Sequence, residues 1–140
     1  MKRVISITLF AALLATLVLS LVSCSSYNGI EKNFTKNGYS VVDLSEESNS
    51  TANTIVTDLD DMEVSFTTHL LKKDGTIGGF VLILEFSASE DIDKVLDEEG
   101  SETLRGLLKD MQKSDYVNGN CLLVPLTLLY VDEAVELFKQ

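Results

Sequence analysis

The sequence predicts an α+β fold, an antiparallel-rich sheet of about four strands with helices packed on one face. Two observations carry this. Val64, Phe66, Thr68 and Leu70 alternate with polar residues, and beyond Asp74-Gly75 comes the short apolar run Phe80–Phe86. Alternation, a turn signal and a second apolar run together spell a β-hairpin over 64–71 and 77–86. On either side of it, apolar residues recur at helical spacing rather than in alternation.

The elements follow in order. Ile30 and Phe34 lie four apart and Asn37-Gly38 supplies a stop, which predicts a short helix over Tyr27–Asn37. Tyr39–Leu44 is rich in aromatic and β-branched residues and reads as a strand. Ser45–Thr54 is small, polar and without period, which reads as a loop. Phe80–Phe86 is so apolar that it reads as a central strand covered on both faces.

Ser87 and Glu90 have capping-box spacing before a helix striped by Ile92, Val95 and Leu96 and ended by Gly100. Ser101 is placed to cap a second helix striped by Leu104, Leu107, Leu108 and Met111. Asn118-Gly119 marks a turn. Cys121–Leu126 is the last strand, with Pro125 near its end, and Val131, Ala134, Val135 and Phe138 place a final helix. The expected order is α-β-β-β-α-α-β-α. Residues 27–140 read as a single domain.

Charge removes whole classes of function. The 140 residues carry 22 acids and 11 bases, a net charge of −11. No acid lies in the first 23 residues, whereas Lys2 and Arg3 do, so the rest of the chain stands at about −13. Nucleic-acid binding needs a basic footprint, and none is expected here. Two cysteines and one histidine exclude a disulfide scaffold and a His-rich zinc site.

The N-terminus carries an address. Lys2 and Arg3 precede an apolar run from Val4 to Val22, the order of a secretory leader. The run meets Leu21-Val22-Ser23-Cys24, followed by Ser25-Ser26. This resembles the lipobox of bacterial lipoproteins. The resemblance implies cleavage before Cys24 and a diacylglyceryl group on its thiol. Residues 1–23 would then be the signal peptide and 24–26 the lipid-anchor tether. The domain would sit outside the cytoplasm, held to the bacterial membrane by lipid chains, since two acyl chains anchor stably. The alternative is an uncleaved membrane helix, because the run is about long enough to span a bilayer. The element order, and Gly119–Pro125 leading into a terminal Asp-Glu-Ala-Val helix, resemble small bacterial surface lipoproteins of unassigned role. That likeness carries no catalytic residue across.

Candidates for chemistry are few. Asp58, Asp60, Asp61 and Glu63 invite a calcium loop, but Met62, Glu63 and His69 stand where an EF-hand starting at Asp58 needs an oxygen ligand, glycine and glutamate. Neither metal nor cofactor is expected. Cys121 and His69 lie on expected strands and would form a thiol–imidazole pair if they met. Leu122, Leu123 and Val124 after Cys121 read instead as a buried thiol. Arg105, Lys109 and Lys113 recur every four residues, opposite the leucine stripe, on what reads as one helix. They would form a basic ridge toward anionic headgroups, a wall polymer or an acidic partner, or else a solvated face.

Three functions stay open at this point. The first is a non-enzymatic envelope lipoprotein that binds or supports an unknown envelope protein or polymer. The second is a small hydrolase or thiol enzyme using Cys121 and His69. The third is an inhibitor or accessory subunit with an acidic docking face.

Overall fold

The computed structural model describes residues 26–47 and 49–140; the leader, Cys24 and Ser25 lie outside the described residues. The chain runs α1 (Ser26–Lys36), β1 (Tyr39–Val42), α2 (Ser50–Asp61), β2 (Phe66–Lys73), β3 (Phe80–Phe86), α3 (Glu90–Leu96), α4 (Glu102–Leu108), α5 (Lys113–Tyr116), β4 (Val117–Asn118), β5 (Cys121–Pro125) and α6 (Val131–Lys139). The five strands form one sheet in the order β1-β2-β3-β5-β4. Every pairing is antiparallel. The α+β class therefore holds, with one short strand more than expected.

The expected hairpin is the centre of the sheet. Phe66 pairs with Phe86 and Lys72 with Phe80, and Gly75 closes the turn at φ +74°. Such a positive φ costs glycine little and other residues more. β3 is flanked by β2 on one side and β5 on the other. Four of its seven residues, Leu82, Ile83, Leu84 and Phe86, are wholly inaccessible to solvent.

Because side chains alternate across a strand, that burial needs cover on two sides. Leu82, Leu84 and Phe86 join Leu70, Leu122 and Val124 in a core closed by α2, α3 and α4. Val81 and Ile83 join Leu71, Cys121 and Leu123 in a separate core closed by α1 and α6. Helices thus cover both faces, which corrects the expectation of helices on one face. The apolar character of β3 had already implied two-sided cover.

The second correction is α2. The segment Ser45–Thr54 read as a loop, yet the helix starts at Ser50. Asn49 caps it, its side chain accepting from the Ala52 amide at 3.0 Å. Ala52, Ile55 and Leu59 make a stripe of only three residues, all fully buried. Ser, Thr and Asn are indifferent helix formers, so tertiary burial rather than propensity builds this helix.

The expected capping box also differs. α3 begins after Ser89, which makes no side-chain cap, and Ser87 lies outside the helix. Glu90, Asp91 and Asp93 still place negative charge on its first turn, where the helix dipole favours it. Ser101 caps α4 as expected, and its hydroxyl does two jobs. It accepts from the Leu104 amide at 3.2 Å and donates to Asp58 of α2 at 2.8 Å. Gly100, just before it, is mandatory: a Cβ there would sit 2.2 Å from the Val95 carbonyl oxygen.

Two stability outcomes follow from these contacts. Ser101→Ala removes a buried cap and strands Asp58, so chemical denaturation should show a loss of about 1–2 kcal/mol. Leu84→Ala should cost about 3 kcal/mol by opening a cavity in the sheet centre, whereas Leu128→Ala, at a site 97% exposed, should stay within about 0.5 kcal/mol.

Candidate functional site

The basic ridge does not survive folding as one helical feature. α4 stops at Leu108, and Gln112 is extended before α5 begins at Lys113. Arg105, Lys109 and Lys113 therefore do not share one helix. The Arg105 guanidinium donates to the Asp97 carbonyl, and Lys113 pairs with Asp93 at 2.6 Å, which raises the lysine pKa. Both cations are engaged within the fold. Lys109 is exposed just past the end of α4. Cys24 lies outside the described residues.

Cys121 and His69 do reach the same face of the sheet, but β3 stands between their strands. Glu85, the cross-strand partner of Cys121, takes the position next to both. Its carboxylate lies 3.2 Å from His69 Nε2, and the Tyr27 ring stacks on the imidazole at 3.4 Å. Cys121 is wholly buried. Burial first, and the Glu85 carboxylate second, push its thiol up to about 12. A nucleophilic thiol needs the reverse, a nearby cation and a depressed pKa. Burial likewise pushes the Tyr27 phenol well up, helped by Glu31 and Glu85. The side chains of Tyr27, His69, Glu85 and Cys121 are a packed polar patch beneath α1.

The acidic segment is structural in part. Asp58 ties α2 to α4 through Ser101, while Asp60 and Asp61 face solvent at the end of the helix. Among the described residues no group of three or more His, Cys, Asp or Glu side chains is arranged to hold a metal ion.

What the sequence reading passed over lies at one pole of the sheet. The β2–β3 turn and the β5–α6 connection leave the same end, joined where the Leu126 amide donates to the Phe80 carbonyl at 3.3 Å. Ile77 and Leu128 are almost fully exposed there, at 99% and 97%, and Leu129 and Tyr130 are exposed as well. Leaving such side chains in water forgoes about 1.5–3 kcal/mol of burial each.

The connection is held firmly. Tyr130 adopts a left-handed backbone, φ 62°, at the N-cap of α6. Its ring lies 5.1 Å from Lys73 Nζ, which also faces the Tyr39 ring at 5.0 Å and pairs with Glu133. Gly79 makes this approach possible: a Cβ there would meet Lys73 Cβ at 3.0 Å and the Tyr130 ring at 3.5 Å. Gly79 is thus a close-approach site, whereas a Cβ on Gly78 would meet open space.

Below the connection runs a groove of about 590 Å³. Leu107, Met111 and Leu126 from one core layer and Val135 from the other contribute to its half-buried apolar floor, with Val131 between. Asp110, Asp115 and Asp132 stand on its rim, and Leu128 forms part of its wall. The groove opens where the two helical layers meet past the short β4, which pairs only with Cys121 and Leu122 and leaves the rest of β5 to α4, α5 and α6. A three-residue apolar exposed run, Leu128-Leu129-Tyr130, was the available signal, since such runs are unfavourable outside functional surfaces.

The chain enters at the opposite pole. Ser26 lies beside Ser87–Glu90 and Gly119–Asn120, and a Cβ on Gly119 would come within 2.4 Å of Ser26 Oγ. The seven residues of β3 separate the poles by roughly 20 Å.

No protein-family model, curated protein or solved structure matches this chain.

The buried ionisable groups set an alkaline limit. Cys121 and Tyr39 both titrate near 12 in the fold, Tyr39 through burial and then the neighbouring Glu133 and Tyr130. Unfolded, they lose protons near 9 and 10. Between those values the unfolded chain binds fewer protons, so stability is complete below about pH 9 and falls as pH rises toward 12. Denaturant midpoints measured across this window should show the fall, and Cys121→Val should flatten its first part.

Proposed function

We propose that this chain is a bacterial lipoprotein: an extracytoplasmic, non-enzymatic domain, anchored through acylated Cys24, that holds another envelope component at the pole away from its anchor. The reading rests on one juxtaposition. A charged-then-apolar leader ending in Leu21-Val22-Ser23-Cys24 delivers the chain into the domain at Ser26, while the exposed apolar side chains cluster at the far end of the sheet.

Geometry supports each half. One residue, Ser25, separates Cys24 from Ser26 in sequence, a reach of at most about 7 Å, so the entry pole stays near the anchored lipid. The far pole is then free for a partner. The thiol-enzyme alternative is weakened by its own residues, because Cys121 is buried, its thiol is pushed up, and Glu85 rather than His69 stands opposite it in the sheet.

Intact mass of the chain extracted from host membranes tests the anchor. The expected species lacks residues 1–23 and carries a diacylglyceryl mass, and Cys24→Ser should abolish both changes. An uncleaved, unlipidated chain overturns the lipoprotein reading.

A further inference from the structure

The groove has a chemistry that selects its occupant. No basic side chain lines it, although three aspartates do. Asp115 is paired with Lys139 at 2.8 Å, whereas Asp110 and Asp132 take part in no ion pair among the described residues. Of the nearby cations, Lys73 and Lys113 pair with Glu133 and Asp93, and Lys109, next to Asp110 in sequence, is exposed outside the lining. The groove thus sets an anionic rim over an aliphatic floor.

Its complement carries positive charge beside aliphatic side chains. We infer that the groove receives a basic, amphipathic segment of another extracytoplasmic protein, placing leucine-like side chains between Met111, Leu126 and Val135 and lysine or arginine against Asp110 and Asp132. The inference rests on the extracytoplasmic placement proposed above and names the partner's chemistry.

Other occupants match less of the surface. Anionic lipid headgroups and phosphate polymers meet the two unpaired carboxylates of Asp110 and Asp132, of like charge. A sugar polymer would find no aromatic ring in the lining on which to stack. A simple polyamine would satisfy the rim and leave the floor empty. A segment with both features uses both, the apolar anchors supplying affinity and the charges supplying orientation and association rate. The volume lies within the usual span of ligand pockets. The Lys73 contact fixes the Tyr130 end of the connection that carries Leu128.

The test uses the full chain in non-ionic detergent micelles and a short fluorescent peptide in which leucines are flanked by lysines. Anisotropy should rise with the chain and stay flat with empty micelles. A glutamate-for-lysine peptide and a serine-for-leucine peptide should both fail. Asp110→Asn with Asp132→Asn should weaken binding about tenfold and reduce its salt dependence. Leu128→Ser, at a site too exposed to threaten folding, should weaken it as well.

Equal binding of the glutamate peptide, equal binding of the serine peptide, or no effect of the double aspartate variant would each overturn the inference. So would self-association of the chain, lost in Leu128→Ser, without peptide binding, because the groove would then be a contact between copies. Peptide binding and lipid mass are read separately. A lipidated chain that ignores the peptide removes the groove's role alone, and an unlipidated chain that binds it removes the anchor alone.

Discussion

Everything in this fold depends on the two-sided burial of β3. A strand whose consecutive residues Leu82, Ile83 and Leu84 are all inaccessible to solvent cannot lie at a sheet surface. It requires neighbours on both edges, supplied by β2 and β5, and helices above and below. α1 and α6 close one layer, and α2, α3 and α4 close the other. Glu85 is the one polar residue within the strand, and Tyr27 and His69 cover it from the α1 side. Where the two layers converge past the short β4, they cannot fill the space between them, and the groove is what remains.

The elements that were legible share strong, local signals. The Phe66–Phe86 hairpin combined alternation, Asp74-Gly75 and an apolar run, and Ser101 combined a cap residue with a clear leucine stripe. α2 was illegible because its sequence, rich in Ser, Thr, Asn and Asp, spreads three core residues over two turns, a pattern shared with many loops. The helix carrying Arg105 seemed to continue to Lys113 because Met111 sits at the right spacing. Met111 does pack on the core, but from a turn after Leu108, and periodicity does not distinguish the two. Likewise, Cys121 and His69 could be placed on strands in advance, whereas their shared face and the intervening Glu85 depend on strand order, which is a long-range property.

The candidate site was less legible still. Asp110, Asp115 and Asp132 are scattered in sequence among many other acids, and only tertiary packing sets them around one apolar floor. Leu128 and Ile77, apolar by type, are the most exposed large apolar residues among the described residues. Net charge supplies the context. In so acidic a chain the Asp rim is ordinary by composition, and its meaning comes from the absence of basic side chains in that lining and from the aliphatic floor beneath. Function here is proposed from polarity: one end of the sheet receives the chain, and the other presents apolar side chains to whatever lies beyond.

That polarity is open to direct measurement. Spin labels introduced by Ser89→Cys at the entry pole and Leu128→Cys at the far pole, in the chain extracted from host membranes and placed on vesicles, would report depth through collision with lipid-soluble and water-soluble relaxants. The buried Cys121 leaves each label at its intended site. The account predicts residue 89 near the headgroups and residue 128 fully in water. Residue 128 embedded in the bilayer would contradict it, turning the apolar pole into a second membrane contact.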